Sequence, residues 1–162
     1  MNTPHHPRSI EFWVAGVPAP QGSKTPFIDK RSGRAGMKES SKKLKPWRAA
    51  VVAAAEEAIA MAPDFVPYTG PVAVVASFFM PRPLKHYVAG DRSRELKADA
   101  PVWVTTTPDV DKVVRATFDA LTTAGIWADD NLCARLTAAE RYVTAETSSG
   151  VWLGLSPLPE TR

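Results

Sequence analysis

The sequence is poor in cysteine, which limits the chemistry open to it. Cys133 is the only cysteine among 162 residues, so no disulfide can form within the chain. A cysteine-based zinc site and thiol redox chemistry are therefore not expected. Because free cysteine usually packs as a small hydrophobic residue, we expect Cys133 to be buried.

Long apolar runs and clusters of histidine are also missing. Proline, glycine or charge interrupts each apolar run before it reaches the length needed to span a bilayer. The first residues lack the long apolar centre of a signal peptide, so we expect a cytoplasmic protein with no membrane partner. His5 and His6 in the N-terminal tail and His86 in a basic loop have no neighbouring zinc ligands, and we expect them to be solvated.

The composition is that of one folded domain. Hydrophobic residues make up 44% and charged residues 23% of the chain, proportions typical of globular proteins rather than disordered ones. A length of 162 residues is enough for a sizeable core. We expect a single domain over residues 1–162, with residues 1–9 as a flexible tail.

Basic residues are unevenly distributed. The net charge is only +3, but basic residues crowd into the stretches 24–48 and 82–97. Such stretches can be solvated loops, or they can form a surface that attracts phosphates towards an acidic pocket. For the second interpretation the candidate DNA-contacting residues are Lys24, Lys30, Arg31, Arg34, Lys38, Lys42, Lys43, Arg82, Lys85 and Lys112.

Hydrophobic periodicity and turn signals predict an α+β fold. We expect a small mixed β-sheet packed with two main helices, in the order β-α-β-α-β-β. Long irregular segments are predicted at 23–43 and 84–101, and residues 102–106 are β-prone. The helices are predicted at about 45–61 and 109–124, and the strands at 10–17, at 72–80 in the centre of the sheet, and at 132–144 and 151–155 as a hairpin.

Three aspartates stand out around the second predicted helix. Asp109 and Asp111 follow Thr107-Pro108 directly, and Asp130 comes after the helix. Side chains two residues apart converge only on extended chain, and the Thr-Pro step favours an extended junction before the helix. If the chain after the helix runs back to the start of the helix, the carboxylates of Asp109, Asp111 and Asp130 meet. Their mutual repulsion would then require a hard cation such as Mg²⁺ or Mn²⁺. Helix capping and a simple turn are the alternative explanations.

A cation held in this way suggests phosphodiester hydrolysis, because such an ion can activate water and stabilise the transition state. Arg115 lies one turn after Asp111 and could neutralise the scissile phosphate. A salt bridge with Asp111 or Asp119 is the alternative for Arg115, and we expect Asp119 to be its partner rather than a metal ligand. Lys112 is a second candidate cation for the phosphate.

The segment PDVDKVVRATFDALTTAGIWADDNL, residues 108–132, resembles the core motif of the RusA-family Holliday-junction resolvases, approximately PDxDNxxKxxxDALxxxGxxxDD. VPAPQGSK at 17–24 and FMPRP at 79–83 resemble flanking segments of this family, so the resemblance covers roughly residues 10–155. The sequence departs from the motif at Lys112, where the family has Asn, and at Arg115, where it has Lys. Since arginine is a poor proton donor, phosphate binding is expected at 115 rather than general-acid catalysis.

The resemblance implies a homodimer of small α+β subunits that nicks four-way DNA junctions symmetrically with Mg²⁺ during DNA recombination and repair, without a small-molecule cofactor. By position it implies Asp109, Asp111 and Asp130 as the essential metal-binding acids, Asp129 as a neighbouring acid of less defined role, and Arg115 at the place of the catalytic lysine. A two-fold dimer suits a junction that is itself nearly two-fold symmetric. The alternatives are a nuclease for flaps, forks or single strands, and a non-catalytic nucleic-acid-binding protein.

Overall fold

The computed structural model describes residues 8–22, 24–28, 31, 35–39, 42–90 and 95–160, with the backbone alone at 24–28 and 35–39. Residues 1–7 of the expected tail, including His5 and His6, lie outside the described residues, as do Lys30 and Arg34 of the basic stretch. In chain order the elements are β1 (Ile10–Ala15), β2 (Lys24–Ile28), β3 (Ala35–Glu39), α1 (Leu44–Ala60), β4 (Val72–Met80), α2 (Val110–Thr123), β5 (Cys133–Tyr142) and β6 (Gly150–Pro157).

One mixed sheet organises the fold, with its strands in the order β1-β6-β4-β5. β4 is central as predicted, pairing parallel with β5 and antiparallel with β6. The predicted hairpin of the last two strands is wrong, because β4 lies between them. A strand-helix-strand crossover places its two strands parallel, so α2 brings β5 back alongside β4, and β6 pairs on the opposite side.

The predicted loop at 23–43 contains a second, two-stranded sheet. β2 and β3 pair antiparallel, with Lys24 opposite Glu39 and Ile28 opposite Ala35. These strands are short, and apolar and polar residues do not alternate along them, so hydrophobic alternation gives no signal for them. The β-prone segment 102–106 forms no strand in the structure. It makes only an isolated bridge, between Trp103 and Arg141 of β5.

The two helices pack on one face of the sheet and against each other. Trp47 at the start of α1 is buried, and its indole Nε1 donates a hydrogen bond of 3.2 Å to Thr117 Oγ1 in the middle of α2. Along β4, alternate side chains such as Val74 and Phe78 enter the same core, as the two-residue repeat of a strand requires. No helix in the described part of the chain is long and apolar enough to cross a membrane.

Three smaller predictions are corrected. His86 is buried rather than solvated, because its ring packs edge-on against Tyr142 with centroids 4.8 Å apart. The end of the expected tail is fixed in part, since Tyr68 Oη donates a hydrogen bond of 2.6 Å to the carbonyl of Arg8. Cys133, at the start of β5, is half-buried.

Candidate active site

Asp109 immediately precedes α2 on extended backbone, with φ −78° and ψ 135°. Although it occupies the N-cap position, its side chain makes no capping hydrogen bond. Its Oδ2 instead accepts a hydrogen bond of 2.6 Å from Lys112 Nζ. The capping explanation therefore does not account for this carboxylate.

Asp111 lies in the first turn of α2 and is exposed. An acid in this place is favoured by the helix dipole. Within the described residues its carboxylate makes no hydrogen bond or ion pair. Both oxygens of Asp111 are thus open to a ligand from the solvent side.

The turn after α2 carries the chain back towards these two acids. Gly125 ends the helix with a φ of 79°, a conformation that glycine adopts without steric cost. Trp127 then anchors the turn, because it is buried, donates a 2.8 Å hydrogen bond to Thr122 Oγ1 and packs edge-on against Phe118. Asp129 Oδ1 accepts the backbone N–H of Asn131 at 2.8 Å, which fixes the short 3-10 turn that begins at Asp130.

Two adjoining clefts bring the predicted acids to one groove. A cleft of about 340 Å³ between α2 and β5 is lined by Asp111, Arg115 and Asp130, among others. A larger cleft of about 880 Å³ is lined by Asp109, Asp111 and Glu140, together with the segment that precedes α2. Because Val110, Asp111 and Ala138 border both, the clefts form one continuous depression. We call it the site groove and define it by Asp109, Asp111, Arg115, Asp130 and Glu140.

The expected three-aspartate cluster is assembled only in part. Asp111 shares a cleft with Asp130 on one side and with Asp109 on the other. Within the described residues, no three acidic, histidine or cysteine side chains are already placed to hold one ion. The carboxylates therefore line a common groove without converging on a single point.

Glu140 is the acid that the sequence analysis missed. It lies near the end of β5, only 7% exposed, and its Oε1 is buried without a hydrogen-bond partner. Burial, with further contributions from the charges of Asp109 and Asp111, raises the pKa of Glu140 to about 7. Its two-residue spacing from Leu136 and Ala138 indicates that they share one face of β5, but this spacing does not show which element that face meets.

Arg115 is exposed on the wall of the site groove. In the described part of the chain its guanidinium makes no ion pair or hydrogen bond. The prediction that Asp119 pairs with Arg115 is wrong, because Asp119 forms its ion pair with Arg48 of α1. Packing of the two helices brings Arg48 to Asp119 and leaves Arg115 available for an anion.

Two further charged groups in or beside the groove have shifted pKa values. The hydrogen bond that Lys112 donates to Asp109, and then the negative charge of Asp109, raise the pKa of Lys112. Burial, followed by the charges of Asp129 and Asp119, raises the pKa of Asp130. An acid with a raised pKa is held in a setting that disfavours its negative charge, and a nearby cation would relieve this.

The predicted DNA-contacting residues differ in their exposure and in the contacts that they make. Lys43 lines a third cleft that shares Thr106, Thr107 and Pro108 with the site groove. Arg82 is engaged in the fold, since it donates hydrogen bonds to the carbonyls of Val143 and Pro101. Lys42, Lys85 and Arg31 are exposed, and Lys24 and Lys38 belong to the backbone-described strands β2 and β3.

The family model for the endodeoxyribonuclease RusA matches residues 18–150. The chain belongs to the RusA family. The match contains both helices, β4 and β5, and every residue of the site groove. Membership of this family supports an endodeoxyribonuclease activity for the chain, and the family indicates activity on Holliday junctions in general. No curated protein matches the chain.

RusA nucleases generally use a divalent metal ion, and the side chains of this groove suit one. Carboxylate oxygens are the ligands that hard cations such as Mg²⁺ prefer. Asp111 makes no competing contact in the described structure, and Glu140 Oε1 is a buried oxygen without a partner. A cation would supply the positive charge that these carboxylates lack, so the donor set fits a metal.

Proposed function

We propose that this RusA endodeoxyribonuclease resolves four-way DNA junctions with Mg²⁺, or Mn²⁺ in its place, held by Asp109, Asp111 and Asp130. The observation that carries the proposal is the position of Asp111, which borders Asp130 and Arg115 on one side and Asp109 on the other. Asp129 is assigned to the turn, because its Oδ1 accepts the N–H of Asn131.

A bound divalent cation would activate the attacking water and stabilise the charge on phosphorus, so that hydrolysis leaves a 5′-phosphate. Asp109 would be one of the residues that hold the cation, once its exposed contact with Lys112 is released. Arg115 binds the scissile phosphate through a guanidinium that stays protonated, so it stabilises charge and donates no proton to the leaving group.

The path of the DNA follows the continuation of the groove. Lys43 lies where the third cleft joins the segment 106–108, and exposed Lys42 is beside it. Lys112 becomes available to a phosphate when it leaves Asp109. We assign Arg82 a structural role instead, because backbone carbonyls already accept hydrogen bonds from its guanidinium.

A homodimer would explain paired cutting. A four-way junction presents two equivalent strands related by a two-fold axis, and a two-fold dimer presents two identical grooves. Each groove would then make one of two symmetric nicks. The basic surface supplies sequence-independent attraction that decreases as salt rises.

The substitution Asp111→Asn tests the assignment of the site. It preserves side-chain volume while removing the charge that binds the cation, so cleavage of a four-way junction should fall at least about a hundredfold. Binding of the same junction should stay within about threefold, since Asp111 does not contact DNA phosphates directly. Cleavage is measured on a labelled junction in Mg²⁺, and binding by gel shift in EDTA.

Asp64→Asn is the matched control, because Asp64 is exposed and, among the residues that the structure describes, forms its ion pair with Arg8, outside the site groove. It should cleave at the rate of the unmodified protein. If Asp111→Asn retains cleavage, or if Asp64→Asn loses as much activity, the role given to Asp111 is refuted.

A further inference from the structure

We propose that Glu140 is a further ligand of the divalent cation, binding it directly or through one water molecule together with Asp109 and Asp111. The inference rests on the proposed function, because it concerns the same cation. It adds to the three aspartates of the motif an acid from β5, on the sheet side of the groove. The donor set would then combine the junction before α2, the first turn of α2, the turn after α2 and the sheet.

The fold directs Glu140 towards the groove. Leu136 and Ala138 precede it at two-residue spacing on β5, and both line the cleft between β5 and α2. Alternate residues of a strand share one face, so Glu140 belongs to the face that looks towards α2. It borders the larger cleft together with Asp109 and Asp111.

The backbone ties Glu140 to the segment that carries Asp109. Val104 N–H donates a hydrogen bond of 3.2 Å to the Glu140 carbonyl, and the neighbouring Trp103 forms an isolated bridge with Arg141. The chain then needs only five further residues to reach Asp109. The distance between this carboxylate and Asp109 is therefore limited by a short, anchored segment.

Glu140 is also a buried acid without a partner. More than nine-tenths of its surface is buried, and its Oε1 accepts no hydrogen bond. Since nearly all buried polar atoms in proteins have a partner, an exception at the wall of an open cleft points to a missing ligand. The charges of Asp109 and Asp111 act on Glu140, so a positively charged ligand is favoured over another acceptor.

The nearest basic side chains are engaged elsewhere. The guanidinium of Arg141, the next residue on β5, lies 5.7 Å from the Phe79 ring centre and 5.0 Å from that of Trp103. Lys112 bonds to Asp109. In the described residues no lysine or arginine pairs with Glu140, so a cation from solution is the charge that fits this position.

Binding of Mn²⁺ alone, without DNA, tests the proposal on the full chain after treatment with EDTA. The dissociation constant is measured by electron paramagnetic resonance for the unmodified protein and for Glu140→Gln, Glu56→Gln and Asp111→Asn. Glu140→Gln keeps the shape of the side chain and should weaken Mn²⁺ binding about tenfold or more, as loss of a supporting carboxylate does in other metal sites. Glu56→Gln, on the exposed face of α1, should change it less than about twofold.

The variants separate the two proposals. If Asp111→Asn weakens binding and Glu140→Gln does not, the role of Glu140 is overturned while the aspartate site stands. If the unmodified protein binds no Mn²⁺, or if Asp111→Asn binds it equally well, both proposals fail together. Weakening in Glu140→Gln and Asp111→Asn but not in Glu56→Gln supports Glu140 as a ligand.

A crystal structure of the unmodified protein with Mn²⁺ gives an answer that does not depend on how any variant folds. Anomalous scattering locates the ion. A direct ligand places Glu140 Oε1 at about 2.1 Å from it, and a water-bridged one at about 4 Å. An ion bound by the aspartates with Glu140 beyond either distance would overturn the proposal.

Discussion

A lysine side chain balances one of the acidic charges in the site groove. Lys112 Nζ lies 2.6 Å from Asp109 Oδ2, so a side-chain cation occupies the place beside Asp109 that we assign to a metal ion. Both side chains are about half exposed, and an exposed pair of this kind contributes little to stability. Exchange of Lys112 for a divalent cation is therefore energetically accessible.

A buried histidine provides a pH-dependent prediction at this scale. Burial, and then the charges of Arg82, Lys85 and Lys97, lower the pKa of His86, while Asp99 opposes them. The folded state thus favours neutral His86. The contribution of neutral His86 to the free energy of unfolding is fully present above the pKa of the unfolded chain, about 6.5. It is lost as the pH falls through the lower pKa that His86 has in the folded protein.

The substitution His86→Gln removes this titration. The free energy of unfolding of the unmodified protein, minus that of His86→Gln, should decrease as pH falls from about 7.5 to about 5. Urea unfolding at both pH values measures the difference, and groups common to both proteins cancel. A difference that stays constant or increases at low pH would show that His86 is not held neutral by its surroundings.

The sequence allowed a functional role to be predicted for some residues of the site groove but not for others. Asp109, Asp111 and Asp130 were accessible because they share a short motif around one helix. Glu140 was not, since its importance depends on the parallel register that sets it opposite Phe78 of β4, and no local pattern encodes that pairing. The partner of Asp119 depends in the same way on how α1 crosses α2.

At the scale of elements, α2 determines where the site forms. It carries Asp111 and Arg115, and its N-terminal end is held where Gln21 N–H donates a 3.0 Å hydrogen bond to the carbonyl of Lys112. Its middle is fixed to α1 by the bond between Trp47 and Thr117. The contact between α1 and α2 therefore positions Asp111 but supplies no ligand for the cation.

Thr117→Val tests this interface. Valine nearly matches threonine in shape but has no hydroxyl, so the buried indole N–H of Trp47 loses its acceptor. The free energy of unfolding should therefore fall by about 1–3 kcal/mol. Thr123→Val is the matched control on the exposed end of the same helix. It should change stability by less than about 0.5 kcal/mol. Equal losses in the two variants, measured by urea unfolding, would contradict the role given to the buried bond.

The sequence predicted element types better than element pairing. β4 and the two helices have strong hydrophobic patterns, and they were located correctly to within one or two residues. The last two strands were also found, but they were paired by closeness in sequence. In the structure the β4-α2-β5 crossover determines the pairing, and this is a tertiary preference that a local turn signal cannot reveal.

At the scale of the whole molecule, charge is arranged along one continuous path. Acids lie in the centre of the site groove, with Arg115 on one side and Lys43 on the other, where the third cleft begins. Under the proposed function, this arrangement would attract a phosphate backbone and place a cation at its scissile bond. In a homodimer, two such paths would meet the two equivalent strands of a junction.

The most direct test of the central claim uses a labelled, immobile four-way junction incubated with the purified protein in Mg²⁺ and, in parallel, in EDTA. We expect paired nicks at symmetry-related positions in Mg²⁺ and none in EDTA, with flap and plain duplex substrates cut far more slowly. Cleavage that persists in EDTA, or faster cleavage of flaps than of junctions, would contradict cation-dependent junction resolution by this groove.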